Sequence, residues 1–294
     1  MLIIDDPQQL REKIKQLKQQ GCEIAFVPTM GNLHEGHLTL VQAARKKAAV
    51  VIVSIFVNPM QFNNAQDLQN YPKTVTQDCE KLAAVGVNIV FTPSASSIYP
   101  KGLEAQTYVE VPLLSDSLEG ELRPGHFRGM STIVNKLFNL VQPDYACFGE
   151  KDFQQLAIIK QMVNDLAMPI EIIPVATMRE KNGLAMSSRN GKLSALEKQK
   201  APFLAKVMNQ LAKDVQAQTA ELSILIDAAS MDLDNAGFNT DAIHIVDAQR
   251  LQPLSDDSEE AVILMAAFLG ETRLIDNKVV ILKNPGNKNS SLNS

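Results

Sequence analysis

The sequence predicts a doubly wound, parallel α/β sheet followed by a smaller α+β domain. Three observations carry that expectation. Short runs rich in β-branched residues alternate with helically periodic segments as far as Val175. Those runs are apolar almost without interruption, as in Val50–Val57, which suits strands covered on both faces. Beyond Met178 the alternation stops, and long helical stretches give way to strands of period two.

The elements follow in order. Asp6 and Pro7 form an N-cap and first-turn pair for a helix with Leu10, Ile14 and Leu17 on one face, stopped by Gly21. Ile24–Val27 reads as a buried strand. A helix starts at Leu38, carries Leu40, Val41 and Ala44, and ends in Arg45-Lys46-Lys47, cations suited to a helix C-terminus. After the Val50–Val57 strand, a polar loop through Asn58-Pro59-Met60-Gln61-Phe62 leads to a helix near Val75–Val85 and a strand at Asn88–Thr92. Tyr108–Val111 reads as a short strand, and the loop Gly120–Gly129 opens a helix at Ser131–Val141. Tyr145–Phe148 is again a strand. Asp152 then caps a helix with Leu156, Ile159, Val163 and Leu166 on one face, ended by Met168-Pro169, and Ile170–Val175 closes the series.

A polar stretch, Arg179–Lys192, precedes a helical region from Ser194 to about Ala229. Ile243–Val246, Ala261–Leu269 and Val279–Leu282 then suggest a small antiparallel sheet. The expected domains are 1–177 and 178–283, and the polar tail 284–294 is expected to be disordered.

Composition narrows the class. The 294-residue chain is 45% hydrophobic and 21% charged, ordinary values for a globular protein. A net charge of −5 gives no footprint for nucleic acid. No segment has the length and apolarity of a membrane span, and Met1–Asp6 lacks the basic start of a signal peptide. Cys22, Cys79 and Cys147 are odd in number and widely spaced, as expected of reduced packing residues in a cytoplasmic protein.

Ligands of doubly wound sheets bind beyond the carboxyl ends of the strands, and the unusual polar segments of this chain each follow a strand. Pro28–His37 is the most informative. A strand, a glycine-bearing turn and a helix start form an anion site, where free backbone N–H groups and the helix dipole converge. His34 and His37 share one face of the first turn, with Gly36 between them admitting a flat or charged ligand. A nucleotide triphosphate is the expected occupant. Metal ligation and two ordinary surface histidines are the other readings. With only His126 and His244 elsewhere, the sequence supplies little for a metal.

Gly149-Glu150-Lys151-Asp152 sits at a second strand–helix junction, where Lys151 could neutralise phosphate as a point charge. Asp152 and Gln155 could form a capping pair, so Gln155 stands equally between capping and ligand binding. Gln61 has no such local role. Two glutamines, each both donor and acceptor, could read a small substrate's hydroxyl and carboxylate. Met186-Ser187-Ser188-Arg189 suits a mobile phosphate clamp, with an interdomain linker as the plainer alternative. Arg123 and Arg128 fit anion binding and plain solvation equally.

Five segments together resemble the pantoate–β-alanine ligases, the pantothenate synthetase family. They are Pro28–His37, Ile55–Phe62, Arg123–Gly129, Phe148–Gln155 and Met186–Asn190, in the family's order. His34-Glu35-Gly36-His37 alone is shared with nucleotidylyltransferases and class I aminoacyl-tRNA synthetases; the series is far more specific. Met178 departs from the family's usual valine, and Met130-Ser131 from a usual Val-Ala pair.

The resemblance implies a Rossmann-like fold of nucleotidylyltransferase type. It implies condensation of (R)-pantoate with β-alanine through a pantoyl adenylate, with ATP cleaved to AMP and pyrophosphate, Mg²⁺ as cofactor, and a homodimer. Carried onto this chain, Met30, Gly31, Asn32, Leu33, His34, Glu35, Gly36 and His37 would contact ATP, with His37 in the acid's position. Gly149, Glu150, Lys151, Asp152, Met178, Met186, Ser187, Ser188 and Arg189 would complete that site. Gln61 and Gln155 would hold pantoate, and Gln61 would also face β-alanine. His34, His37 and Lys151 are then the catalytic candidates, with His37 expected to act through hydrogen bonding and charge rather than as a literal proton donor. Asp78 is the carboxylate that the resemblance offers Mg²⁺, whose ligands otherwise stay open. A nucleotidylyltransferase and a non-catalytic nucleotide-binding module are the competing readings.

Overall fold

The structure is a computed structural model that describes residues 1–63 and 65–282. It divides into two compact units, Met1–Met178 and Arg179 onward. The tail assigned to 284–294 lies outside the described residues.

The first unit holds a six-stranded sheet in the order β1-β4-β3-β2-β5-β6, and every neighbouring pair is parallel. Its elements are β1 (Leu2–Ile4), α1 (Pro7–Gln19), β2 (Ile24–Thr29), α2 (Glu35–Lys47), β3 (Val50–Ile55), a 3-10 turn at Pro59–Gln61, α3 (Ala65–Gln69), α4 (Val75–Ala84), β4 (Ile89–Phe91), α5 (Ala95–Ile98), α6 (Glu119–Leu122), α7 (His126–Val141), β5 (Tyr145–Gly149), α8 (Phe153–Asp165) and β6 (Glu171–Val175). Strand order reverses between the central neighbours β2 and β5, so their carboxyl ends flank the crevice of a doubly wound sheet.

The continuous apolar runs arise because alternate side chains enter two separate cores. Phe26 and Ile52 pack with α1, α7 and α8, while Ala25, Val27, Val51 and Val53 pack with α2 and α4. Pro174 is tolerated because β6 is an edge strand. The Asp6 carboxylate accepts from Gln9 N–H at 2.8 Å, as its N-cap position suggests.

Three sequence expectations in this unit need correction. Tyr108–Val111 forms no strand: Thr132 Oγ1 takes the Val109 N–H at 2.9 Å, and Ser131 Oγ donates to the Val109 carbonyl. Side chains of α7 thus satisfy groups that a neighbouring strand would have paired. Next, α7 begins at His126, before the glycine read as loop. A Cβ on Gly129 would collide with the Met60 carbonyl, so this glycine permits close packing rather than a turn. Finally, Asp152 stands at the N-cap of α8 but makes no side-chain capping bond, which removes the capping explanation for Gln155.

The second unit contains a 3-10 turn (Ser188–Lys192), α9 (Ala195–Lys200), α10 (Pro202–Ala217), α11 (Leu222–Asn235), β7 (Asn239–Asp247), β8 (Glu260–Leu269) and β9 (Thr272–Ile281). The expected helical region consists of three helices, divided at Pro202, which starts α10 at its first position, and at Gln218, whose φ is +53°. Leu204, Met208, Leu211 and Leu225 pack on Ile263, Met265 and Leu274 of the antiparallel sheet β7-β8-β9. Arg179 grips Asp276 of β9 through two bonds of 2.7 and 2.8 Å and also reaches the Gly183 carbonyl at 3.1 Å. Its partner Asp276 is almost fully buried.

Arg179→Met should strand that carboxylate. It should lower unfolding stability in urea by about 2–3 kcal/mol, less than a fully enclosed pair because the guanidinium is partly exposed.

Candidate active site

Asp78 organises the segment after β2. This buried carboxylate reaches from α4 to accept Asn32 N–H and Leu33 N–H, each at 2.8 Å, and the Thr74 hydroxyl at 2.9 Å. Lys81, one turn later, donates to the Leu33 carbonyl at 2.6 Å. Gly31 (φ +84°) and Asn32 (φ +51°) supply the left-handed turn that points both amides inward. Asp78 therefore belongs to the loop's framework, and its oxygens are already engaged by protein donors. Sequence reading named it only as a metal candidate, on weak resemblance alone.

The expectation of free backbone donors at this helix start holds only in small part. The Asn32 and Leu33 amides face Asp78, and Gly36 N–H donates to His34 Nδ1 at 3.1 Å. His34 N–H donates to His37 Nδ1 at 3.3 Å, and His37 N–H to the His34 carbonyl at 2.8 Å. The imidazoles themselves cap the helix. Since both Nδ1 atoms accept, each neutral ring must carry its proton on Nε2. The rings lie 4.1 Å apart, tilted by 41°. The donors left for an anion are thus chiefly side-chain Nε2–H groups, since most of the backbone amides are taken.

Burial holds both rings neutral. The pKa of His34 is lowered to about 4, first by desolvation and then by the charges of Lys151 and Lys81. That of His37 is lowered to about 3 by desolvation, by His34 and by the same two lysines. These couplings bring Lys151, from the β5–α8 junction, into the electrostatic environment of the histidine pair. Gly149 and Glu150 precede it, and Glu150 N–H is tied to the Val175 carbonyl at 2.9 Å.

Gln61 is buried at the end of the 3-10 turn after β3, where its Nε2 lies 3.1 Å from Met30 Sδ. Met30, the histidine pair, Gln61 and Lys151 therefore cluster along the ends of β2, β3 and β5. Gln155 lies in the first turn of α8 and makes no side-chain hydrogen bond among the described residues. The neighbouring Gln154 has a different role, donating to the Leu114 and Ser117 carbonyls and accepting from Glu119 N–H. Leu33 is buried in the core and Glu35 is exposed, so their side chains are poorly placed to meet one ligand. Met178 ends the first unit. Met186, Ser187, Ser188 and Arg189 belong to the second, where Ser187 Oγ caps a 3-10 turn through Arg189 N–H at 3.2 Å.

Sequence reading placed Asn58 beside Gln61 in the polar loop after the strand but missed the distant residues that bond around them. Asn58, Tyr99 and His126 are all buried polar or aromatic groups bonded around this turn. No local spacing links them. Arg123 and Arg128 both have protein partners: Arg123 lies 3.7 Å from Glu119, and Arg128 stacks 4.8 Å from the Tyr108 ring centroid.

Two measurements probe this framework. Asp78→Asn replaces one acceptor oxygen by an NH₂ group facing a backbone N–H; stability should fall by about 1–3 kcal/mol, with weakened nucleotide binding by calorimetry. His34, His37 and His126 all stay neutral in the folded protein well below their ordinary 6.5. As pH drops from 6.5 toward 4, the unfolded chain takes up protons that the native state refuses, so stability should decline. In urea unfolding across that range, His37→Gln should show a shallower decline than the parent.

Comparison with known proteins identifies the family. The family model described as pantoate-beta-alanine ligase matches residues 2–279. The chain is 86% identical over 288 residues to the pantothenate synthetase of Psychromonas ingrahamii, covering 98% of this chain and 100% of that one. It is 59% identical to the Aeromonas hydrophila pantothenate synthetase, over 96% of this chain and 99% of the relative. Among solved structures, a pantothenate synthetase from Thermus thermophilus aligns with a TM-score of 0.86 at 39% identity, over 95% of this chain and 99% of that one. A Francisella tularensis pantoate-beta-alanine ligase, complexed with beta-gamma ATP and beta-alanine, aligns with a TM-score of 0.79 at 37% identity, over 95% and 97% of the two chains. The chain belongs to the pantoate–β-alanine ligase family.

Proposed function

We propose that the chain condenses (R)-pantoate with β-alanine through a pantoyl adenylate, cleaving ATP to AMP and pyrophosphate in the last step of pantothenate formation. The observation that carries this reading is the pairing of two neutral, Nε2-protonated histidines with Lys151 beside a buried, amide-bearing Gln61. The first group suits a polyphosphate and the second a small polar acid. The substrate carboxylate is itself the nucleophile, so no activated serine or cysteine is required.

In the first step the pantoate carboxylate attacks the α-phosphorus, and the bond to pyrophosphate breaks. His34 and His37 donate Nε2–H bonds to phosphate oxygens, and Lys151 offsets the charge that develops as pyrophosphate leaves. His37 works as a hydrogen-bond donor, because its imidazole starts neutral and pyrophosphate needs little protonation to depart. In the second step the β-alanine amine attacks the acyl carbon and AMP leaves. Within the first unit, Met30, the backbone around His34 and His37, Gly149 to Asp152 and Met178 form the ATP site; Met186 to Arg189 of the second unit are its proposed phosphate-binding residues. Gln61 and Gln155 hold pantoate.

The described residues do not offer Mg²⁺ a protein cage. No group of three or more His, Cys, Asp or Glu side chains is arranged for a metal among them, and Asp78 already accepts three protein hydrogen bonds. Mg²⁺ therefore belongs with the nucleotide, held by phosphates and water. Among the described residues no helix is long and apolar enough to cross a membrane. A cytoplasmic homodimer acting on these small molecules, without nucleic acid or membrane, completes the proposal.

Isotope exchange between pyrophosphate and ATP isolates the adenylation step. Exchange should require pantoate, and AMP release should require β-alanine; pantoate-independent exchange or amine-independent turnover would overturn the ligase mechanism in favour of nucleotidyl transfer. Lys151→Ala should slow exchange by at least about a hundredfold with little change in melting temperature. An unchanged rate would remove Lys151 from the site.

A further inference from the structure

The orientation of the Gln61 amide is fixed by a chain of bonds that begins at a residue outside the proposed ligand contacts. Asn58 Oδ1 lies 3.3 Å from Met60 N–H, an obligate donor, and Asn58 Nδ2 lies 3.1 Å from the Gly129 carbonyl, an obligate acceptor. The Asn58 amide can therefore adopt only one orientation. Its Nδ2 also reaches a Gln61 side-chain atom at 3.1 Å, which must be the acceptor Oε1. The Gln61 NH₂ is then left facing Met30 Sδ, a weak acceptor that engages one of its two hydrogens. Gln61 thus offers donors, and its matching substrate group is an acceptor oxygen, a carboxylate or hydroxyl oxygen.

Tyr99 holds the other end. It is almost fully buried, and its hydroxyl lies 2.7 Å from Asn58 Oδ1, well inside the 3.3 Å of the Met60 contact. Burial pushes the phenol pKa upward, so the group keeps its proton and donates it to Oδ1, which carries no hydrogen of its own. Lys136 lies 4.7 Å from the ring centroid and donates to the Ile98 carbonyl at 2.5 Å, packing against the ring face. The backbone of Gln61 is pinned independently, since His126 Nδ1 contacts its carbonyl at 2.8 Å.

We infer that Tyr99 is a positioning residue for pantoate: its hydroxyl locks Asn58, and Asn58 in turn holds the Gln61 amide with its donors toward the substrate. The inference rests on the reading that Gln61 holds pantoate.

Tyr99→Phe removes only the hydroxyl and keeps the packing volume. With ATP and β-alanine saturating, it should raise the pantoate KM by roughly three- to tenfold, the scale of one hydrogen bond, and leave the ATP KM unchanged. Placed on Gln61→Ala, it should add nothing further. If Gln61→Ala raises the pantoate KM and Tyr99→Phe does not, the Tyr99 inference fails while the Gln61 reading stands. Equal increases in the pantoate and ATP KM, or an additive double variant, would also overturn it. A Gln61→Ala enzyme with unchanged pantoate KM would overturn both.

Discussion

A single buried carboxylate sets the geometry on which the site depends. Asp78 lies in α4, on the far side of β3 from the histidine-bearing helix in chain order, yet its oxygens hold the Asn32 and Leu33 amides. A charged acceptor with matched donors is worth more than a neutral bond, and leaving those amides unpaired in the interior would be costly. With Lys81 on the Leu33 carbonyl, α4 clamps both polarities of the loop backbone. The turn can then adopt positive φ at Gly31 and Asn32 in succession.

That clamp changes what the helix start can do. Glycine-bearing strand–helix turns commonly bind phosphate through backbone N–H groups. Here those groups are largely committed, to Asp78 or to the histidines, and the imidazoles replace them. The Nδ1 atoms complete the cap while the Nε2 atoms carry the protons outward. Burial beside Lys151 and Lys81 keeps the rings neutral. Their charge can therefore respond to phosphate, which would favour the protonated form, rather than being fixed beforehand. A second buried network serves the other half of the site, where Asn58, Tyr99 and Gly129 set the attitude of Gln61. In both networks a polar group of the proposed site is held by a residue outside the proposed contacts.

The parallel sheet was legible because its strands are apolar on both faces, a pattern that few other structures produce. The caps at Asp6 and the cationic end of α2 were equally local. What escaped were features decided by neighbours distant in sequence. Tyr108–Val111 has strand-like composition, but Ser131 and Thr132 occupy its backbone groups. Gly129 looks like a loop residue until the Met60 carbonyl is seen against it. Short elements such as β1 and α3 carry too few residues to establish a period.

The sequence by itself determined the alternating architecture, the polar segments at the strand ends and, through five ordered motifs, the family. Those depend on residue type and spacing, which the chain displays directly. Only the tertiary structure decided the tautomers of His34 and His37, the commitment of Asp78 to the loop, the backbone partners of Gln154, and the orientation of Gln61. Each depends on which donor meets which acceptor across tens of residues. Such pairing is fixed by packing, because a buried polar group must find a partner wherever the fold places one.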